Sequence, residues 1–486
     1  MVDFNEGHYF NSTKTKSMEK LANNFSFALG KQAILNIRIT KRLVSIREMN
    51  LKHLHIIPIL LILILSTNVY SQNPKENWEK YKQIEQSGFS IENLAIAKAY
   101  YDSLNSSAFL IIQNGKVAAD WGDINRRFIL HSVRKSILNS LYGIYSENGT
   151  IELNYTIGEI GITDKDSLSD LEKSAKIIHL LKARSGIYHK AAAEPPWVDD
   201  YRPERNSVKP DSLWFYNNWD FNVLGTIFEQ STQTSIYEAL YNDIATPLQM
   251  QDYRIIDGEY YYELEYSNHP AYHLKMSARD LARYGQLFLQ EGLWNDKQIL
   301  SKNWVDSSTY PVSKHGGGGK IGRWYGWLWN VSEYYQDYKM YYAVGAGGQF
   351  LAVFPTEDLI LVNLCNTYQR DKLYDKEIVK LFDLILASKM NKPIDNPALI
   401  TLKTSSRIPE KLYQQKINHS KYIGDFTIDG RKALIIELNG DLILKDYFMK
   451  LKLFPISPNR FFVEDIEKYL NVVLDKKGFA TKLSYD

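Results

Sequence analysis

The sequence predicts an α+β fold: an antiparallel sheet flanked by helices with an inserted mainly helical lobe, plus a small C-terminal antiparallel β domain. Three observations carry this prediction. Two strand-like runs joined by a tight turn stand near the start of the folded region, further strand-like runs occur between residues 325 and 364, and helical patterns fill the interval. Beyond residue 422 the pattern changes to short alternating runs separated by turn signals, which favours a separate β domain.

The N-terminal segment has the layout of an export signal. Residues 1–48 are polar, basic and poorly patterned, and we expect them to be a disordered upstream extension. Residues 49–72 combine a short basic region, about ten apolar residues and then small residues, which is typical of a secretory signal peptide. We therefore predict a periplasmic or secreted protein. An uncleaved membrane anchor is the alternative, although the apolar run is short for a full span.

Composition excludes several classes of function. The 58 Lys and Arg residues balance 56 Asp and Glu residues to a net charge of +2, which predicts no nucleic-acid partner. The single cysteine, Cys365, lies in an apolar run and is expected to be a small core residue. The scattered histidines lack metal-ligand spacing, so we expect no metal and no cofactor.

The first predicted elements are a charged helical segment, a hairpin and a second helix. Asn73–Leu104 has a helical pattern, and Ser107–Gln113 and Lys116–Trp121 predict two strands. The Asn-Gly pair between these strands is typical of a tight turn. A short apolar run then leads into a helix that begins near Ser132 and ends at Asn148-Gly149.

The middle of the chain predicts the helical lobe. Ser169–Leu181 predicts one helix with a capping box, and Ile187–Asp211, with four prolines, predicts a long functional loop. Trp214–Phe228 predicts a strand-like entry that turns into a helix, and a further capped helix begins at Ser277. The glycine-rich stretch His315–Lys320 predicts a loop.

The C-terminal half divides into three parts. Strands are predicted at Tyr325–Val331, Gly348–Phe354 and Leu359–Leu364, and a helix at Lys376–Ser388. These complete one large predicted domain over residues 73–390. A proline-containing linker (391–409) and the small β domain (410–486) follow, and the latter carries no cluster of residues typical of catalysis.

The chemistry is predicted to centre on Ser132-Val133-Arg134-Lys135. At a helix N-terminus, free backbone N–H groups and the helix dipole stabilise negative charge beside the Ser132 hydroxyl. Lys135 lies one turn further along the same face, where a desolvated amine can take the serine proton. The alternative is that Ser132 only caps the helix and Lys135 is a solvated surface charge. Ser-x-x-Lys is a weak motif alone, and Ser17–Lys20 also matches it.

Several ordered motifs resemble those of the serine β-lactamase and penicillin-recognising enzymes, in the branch of class C β-lactamases, esterases and D-aminopeptidases. Ser132–Lys135 resembles the Ser-x-x-Lys motif, and Tyr216-Asn217-Asn218 resembles the Tyr-x-Asn motif because the family's Asn-x-Leu-Gly pattern follows at Asn222. Leu180–Gly186 resembles the Leu-Leu-x-x-x-Ser-Gly turn, and Gly347-Gly348-Gln349 a Gly-Gly strand entry. The resemblance covers about Asn73–Lys389.

The resemblance implies a role for each matched residue. Ser132 is expected to attack a carbonyl while Lys135 and Tyr216 share its proton. Asn218 is expected to orient Lys135 or the substrate carbonyl, and the N–H groups of Ser132 and Gly345 to bind the oxyanion. The residues expected to line the substrate cleft are His189, Gly347 and Gln349. The implied partner is a small-molecule or short peptide-like substrate.

One departure from the family pattern bears on the substrate. The third motif of the lactamases, Lys/His-Thr/Ser-Gly, aligns with Tyr342-Ala343-Val344, so the cation that binds a substrate carboxylate is missing. An acidic substrate group left unpaired loses affinity, which favours an ester or a neutral amide, as in the esterases and nylon-oligomer hydrolases of the branch. The alternatives are a D-amino-acid peptidase or β-lactamase, or a non-catalytic cell-wall or oligosaccharide binding protein on the same scaffold.

Overall fold

The computed structural model describes residues 73–315, 321–322, 324–446 and 448–486. The predicted extension (1–48), the predicted signal peptide (49–72) and the glycine-rich stretch 316–320 lie outside the described residues. The described residues all fall in one unit, Tyr70–Asp486. None of the helices in these ranges is long and apolar enough to cross a membrane.

The helices flank the largest sheet and form the inserted lobe. They are α1 (Ile91–Asp102), α2 (Val133–Glu147), α3 (Asp170–Lys173), α4 (Ile177–Leu181), α5 (Asn218–Thr232), α6 (Ile236–Ala239), α7 (Ala278–Leu289), α8 (Lys302–Thr309) and α9 (Asp375–Ala387). Helices α1 and α9 pack against each other on one face of the sheet, and α7 packs on the other face.

The strands of this part of the fold build one large and two small sheets. They are β1 (Glu79–Tyr81), β2 (Ala108–Gln113), β3 (Lys116–Gly122), β4 (Phe128–Ile129), β5 (Gly258–Tyr261), β6 (Ala271–Met276), β7 (Leu293–Trp294), β8 (Lys297–Gln298), β9 (Ser313–Lys314), β10 (Trp324–Tyr325), β11 (Asn330–Val331), β12 (Tyr341–Gly345), β13 (Gln349–Phe354), β14 (Leu359–Leu364) and β15 (Leu399–Thr401). The large sheet has the order β15-β1-β3-β2-β14-β13-β12-β11-β10-β9, and all its pairs are antiparallel except β1 with β3.

The strand β2 shows why the large sheet is buried on both faces. Ala108, Leu110 and Ile112 belong to the core that includes the helical lobe, whereas Phe109 and Ile111 belong to the core under α1 and α9. This follows from the two-residue period of a strand. The predicted hairpin is confirmed: the two turn residues both have positive φ, 55° and 69°, as a tight hairpin turn requires.

Three of the predicted helices and strands have wrong boundaries, each because of a contact between distant parts of the chain. Within the segment Asn73–Leu104 the α-helix covers only Ile91–Asp102, with a short 3-10 helix at Ile84–Ser87, since Glu79–Tyr81 pairs with β15 instead. The predicted helix Ser169–Leu181 is split into α3 and α4 because the chain between them pairs with residues 156–158, although its capping box is present. The predicted strand Tyr325–Val331 is a hairpin of β10 and β11.

The C-terminal domain is an antiparallel meander. Its strands are β16 (Gly424–Ile428), β17 (Arg431–Leu438), β18 (Asp441–Asp446), β19 (Met449–Ser457), β20 (Arg460–Val463), β21 (Lys468–Leu474) and β22 (Ala480–Tyr485). The first and last strands lie against each other, so the sheet curls into a barrel-like shape around a core that includes Ile435, Leu451 and Phe461. The segment predicted as a linker supplies β15 to the large sheet.

The two parts of the described chain are joined by a buried ion network. Lys275 on β6 is 1% exposed and binds Asp465, and its Nζ lies 3.3 Å from an oxygen of Asp257. Arg127, which precedes β4, reaches Asp465 and Glu464 at 2.7 Å each. Because β6 pairs with β4, the network ties the β domain to the strand that leads into Ser132.

Candidate active site

Ser132 stands at a sharp turn between β4 and α2. The residue before it, His131, has a left-handed backbone with φ of 47°, which is unusual for a residue with a side chain. Ser132 occupies the cap position of α2, but its side chain makes no capping hydrogen bond. Its hydroxyl is therefore available for chemistry, and the alternative that Ser132 only caps the helix is wrong.

Lys135 brings the predicted nucleophile and the predicted tyrosine together. Its Nζ donates to Ser132 Oγ at 2.9 Å and to Tyr216 Oη at 2.8 Å. It also lies 4.8 Å from the ring centre of Phe221. The residue is 3% exposed, so the alternative of a solvated surface lysine is wrong as well.

Burial changes the pKa values of Lys135 and Tyr216 in opposite directions. Desolvation, reinforced by the neighbouring Arg134 charge, holds the pKa of Lys135 well below its ordinary value. Burial raises the pKa of Tyr216, although the Ser132 hydroxyl and Arg134 oppose the rise. The site therefore combines an amine with a strong tendency to be neutral, which can accept a proton, and a phenol that retains its own proton.

Tyr216 and its neighbours stand at the entry to α5. The predicted strand-like entry is irregular, and the helix begins at Asn218. Asn217 caps it by accepting the N–H of Trp219 at 3.2 Å and also donates to Asp220 at 2.9 Å. The cap is thus Asn217, and Asn218 is the first residue of the helix.

Asn218 is 4% exposed and makes no side-chain hydrogen bond to Lys135 within the described ranges. The predicted orientation of Lys135 by Asn218 is not present in this state of the protein. A contact between Asn218 and a substrate carbonyl stays a prediction.

The end of strand β12 abuts the Ser132 turn. A Cβ atom placed on Gly345 would lie 2.3 Å from the carbonyl oxygen of Leu130 and 3.1 Å from the backbone nitrogen of Ser132. Only glycine permits this approach. The Ser132 N–H donates to no backbone carbonyl of the described chain, so it is free to bind an oxyanion. This geometry agrees with the predicted role of Gly345 as the second donor of the oxyanion hole.

The positions aligned with the third motif carry no cation. Tyr342 and Val344 pack into the core on the face of the sheet that α1 and α9 cover, and the Tyr342 ring stacks on Phe350 at 5.8 Å. Ala343 faces the core that contains α2. Strand β12 lies beside Ser132, where the third motif is expected. The cation that would bind a substrate carboxylate is therefore missing from this strand, and its absence does not result from a wrong alignment.

Two of the predicted substrate-binding residues have structural partners instead. Gln349 is fully buried, and its amide binds the backbone of Cys365 through both ends, at 2.8 and 2.9 Å. His189 is also buried, with Nε2 lying 3.1 Å from a carboxylate oxygen of Glu172, which Arg205 binds as well. A direct contact of Gln349 or His189 with substrate is therefore not supported, because their polar atoms are engaged in the fold.

Gly347 lies close to the site through a neighbouring loop. Its φ is 81°, and a Cβ there would lie 2.3 Å from Cγ2 of Thr367. The hydroxyl of the same Thr367 lies 2.8 Å from Nε2 of His131. Gly347 thus helps to place a loop that fixes the turn before the nucleophile, and its predicted contact with substrate stays a prediction.

Sequence reasoning missed the roles of three further residues around Ser132. Thr367 holds His131, Arg134 lies buried beside Lys135, and His273 on β6 stacks on Phe448 of the β domain with ring centres 4.2 Å apart. Arg134 stood inside the quoted motif, but no pattern indicates that an arginine at a helix start is buried. Contacts such as that of His273 with Phe448 depend on tertiary structure alone.

Solved structures of other proteins are similar to parts of this chain. A beta-lactamase from Mycobacterium bovis is 18% identical, covering 61% of this chain and all of its own (100%), with a TM-score of 0.44. A putative 6-aminohexanoate-dimer hydrolase from Bacillus anthracis is 17% identical, covering 65% of this chain and 88% of its own, with a TM-score of 0.44. An octameric penicillin-binding protein homologue from Pyrococcus abyssi is 16% identical, covering 79% and 96%, with a TM-score of 0.46.

The comparison with curated proteins returned no match. The family model described as Beta-lactamase matches residues 96–383, which is more than half of the chain. Ser132, Lys135, Tyr216 and Gly345 all lie within the matched residues. The chain therefore belongs to the Beta-lactamase family.

Proposed function

We propose that this protein is an exported serine hydrolase that cleaves an ester or a neutral amide through an acyl-enzyme on Ser132. The observation that carries the proposal is the position of Lys135 Nζ, within hydrogen-bond distance of both Ser132 Oγ and Tyr216 Oη in a buried setting. A lysine kept neutral by burial is a suitable base for a serine hydroxyl.

The first half of the reaction forms the acyl-enzyme. Ser132 Oγ attacks the substrate carbonyl carbon as its proton passes to Lys135 Nζ. The negative charge on the carbonyl oxygen is stabilised by the free N–H of Ser132, with the backbone of Gly345 close by. The bond to the leaving group then breaks, and the leaving group takes a proton from Lys135 through Tyr216.

The second half releases the product. Water attacks the acyl carbon and loses a proton to the Tyr216–Lys135 pair, and the Ser132 oxygen recovers a proton as the acyl bond breaks. The enzyme returns to its starting state with the same number of protons. The Lys135–Tyr216 pair thus acts first as base and then as acid in each half, which the direct hydrogen bond between the two residues supports.

The altered third motif supports the substrate class. With Tyr342 and Val344 turned into the core and Ala343 facing α2, β12 offers no cation to a substrate carboxylate. We therefore propose an ester or neutral amide substrate in preference to a β-lactam or a D-amino-acid peptide. The same feature favours the second candidate function, a non-catalytic cell-wall or oligosaccharide binding protein, which would not need a buried Ser132–Lys135–Tyr216 set.

The proposed export depends on residues 49–72 and places the reaction in the periplasm or outside the cell. Fractionation of cells that express the full chain, with N-terminal sequencing of the mature protein, tests this part. Recovery of the intact N-terminus in the cytoplasm would contradict it.

The substrate class is tested by incubating the full-length protein with a panel of short acyl esters, neutral amides and a fluorescent penicillin. We expect turnover of at least one ester or neutral amide and no stable penicillin adduct. A Ser132-dependent penicillin adduct would return the assignment to a β-lactamase or peptidase. The Ser132→Ala variant is the control in each assay.

A further inference from the structure

Arg134 is a buried cation with no anionic partner. The residue is 5% exposed, and within the described residues no carboxylate oxygen lies within ion-pair distance of its guanidinium. Its Nη1 donates to the carbonyl oxygen of His131 at 3.0 Å, and its guanidinium carbon lies 5.2 Å from the ring centre of Tyr272. Its Nε is buried without a hydrogen-bond partner.

Such an arrangement opposes folding. A buried charge is normally paired, because desolvation is unfavourable unless an opposite charge offsets it. Arg127 follows that rule with Asp465 and Glu464, whereas Arg283 on α7 is bound by the backbone carbonyl oxygens of Leu248, Lys75 and Glu76 instead. Arg134 makes one such hydrogen bond where Arg283 makes three. Its buried charge beside the predicted catalytic base is therefore poorly compensated, which indicates a role in the chemistry.

The histidine and tyrosine side chains around Arg134 are uncharged at neutral pH, so the guanidinium carries the permanent positive charge beside Ser132. His131 precedes the nucleophile, Tyr237 lies on α6, and Tyr272 and His273 lie on β6. Burial lowers the pKa of His131 to about 4 and that of His273 well below its ordinary value. Burial raises the pKa of both tyrosines. These groups are therefore neutral at neutral pH.

Two groups complete the surroundings of Arg134. Tyr216, at the entry to α5, is a phenol whose pKa burial also raises. Glu259 on β5 is the nearby carboxylate on the Tyr237 side, and it is already bound by Lys445 and Lys450 at 2.6 and 2.8 Å. Neither group neutralises the guanidinium.

We propose that Arg134 is a positioning residue of the nucleophilic site, which pins the left-handed turn at His131 and, through its fixed charge, keeps the Lys135 amine unprotonated. The inference rests on the proposed function, since it concerns the base of that reaction. Two positive charges in one desolvated region repel each other strongly, so the group that can lose a proton does so. The hydrogen bond to His131 holds the turn that presents Ser132.

The test is the pH dependence of covalent labelling. The rate of labelling of the full chain by a fluorophosphonate is measured between about pH 5 and pH 10, a range that includes strongly lowered lysine pKa values. The variants are Arg134→Gln and Arg134→Met, which remove the charge, and Arg134→Lys, which keeps it. Arg279→Met is the matched control, because Arg279 is paired with Asp252.

For the two charge-removing variants we expect the pH at which the rate rises to move upward by about one unit or more, so that labelling below this pH falls about tenfold. Arg134→Lys should keep the wild-type midpoint but label more slowly, because its shorter side chain does not reproduce the bond to His131. Arg279→Met should keep the wild-type midpoint. A merely structural role would lower the rate without moving the midpoint.

Each other outcome is decisive. A folded Arg134→Gln or Arg134→Met protein with the wild-type midpoint would overturn the inference, and so would a wild-type midpoint at the ordinary lysine value. If neither variant folds while Arg134→Lys folds with an unchanged profile, the guanidinium charge serves the fold alone and the inference is also overturned. Absence of wild-type labelling at every pH would refute the proposed function itself.

Discussion

The Gly345→Ala substitution tests the contact between β12 and the nucleophile turn. The added Cβ would lie 2.3 Å from the Leu130 carbonyl oxygen and 3.1 Å from the Ser132 nitrogen. Non-bonded contacts of carbon need about 3.5 Å, so the strand and the turn must separate by about 1 Å. A displacement of this size costs about 100-fold in rate, and loss of an oxyanion donor costs about 100- to 1,000-fold.

We therefore expect the rate of fluorophosphonate labelling to fall about 100-fold in Gly345→Ala, with a loss of stability of only about 1–3 kcal/mol from overpacking. Labelling is followed by intact mass, and folding by circular dichroism and thermal melting. The matched control is Gly158→Ala, whose Cβ would meet only Lys173, at 3.1 Å or more. A folded Gly345→Ala protein that labels at the wild-type rate would refute the close approach of β12 to Ser132.

Three further predictions concern stability. Lys275→Met should lower the free energy of unfolding in urea by about 3 kcal/mol, the lower end for a broken buried pair, because Asp465 and Asp257 lose Lys275 but keep Arg127 and Arg254; a loss below about 1 kcal/mol would contradict the network's importance. Deletion of residues 410–486 should abolish cooperative thermal unfolding, since Arg127 and Lys275 lose Asp465, and a sharp melt near the wild-type temperature would refute this. Burial raises the pKa of Asp358 to about 6, so the folded state binds the carboxyl proton more tightly than the unfolded state does. The stability that this proton contributes is fully present below about pH 4 and is lost as the pH rises through about 6. Asp358→Asn should therefore raise the urea midpoint of unfolding at pH 8 and leave it unchanged at low pH. Equal effects at both pH values would contradict a raised pKa of Asp358.

The parts of the fold that depend on local pattern were predictable. The Asn114-Gly115 turn and the capping box of Ser169 with Glu172 lie within a few residues of chain, and each was confirmed. The strand at Glu79–Tyr81 was missed because its partner, β15, lies more than 300 residues away in what looked like a linker. Pairing of this range leaves no local signature in the sequence.

The candidate site divides in the same way. Ser132, Lys135 and Tyr216 could be chosen because their motifs occur in order, and the structure brings them within hydrogen-bond distance. Gln349 and His189 were expected in the cleft, but burial and partners distant in sequence engage their polar atoms. Arg134 lies inside the Ser-x-x-Lys motif, but its role depends on which charged groups surround it. The tertiary structure determines those surroundings, so the sequence alone does not predict the role.

The central claim is that Ser132 forms an acyl-enzyme with Lys135 as its base, and intact-mass analysis after treatment with a fluorophosphonate tests it most directly. We predict a single adduct on the wild-type protein, located on the peptide that contains Ser132, absent from Ser132→Ala and strongly slowed in Lys135→Ala. Circular dichroism of both variants serves as the control for folding. No adduct on the folded wild-type protein, or an adduct that persists in Ser132→Ala, would contradict the acyl-enzyme mechanism and favour the binding-protein alternative.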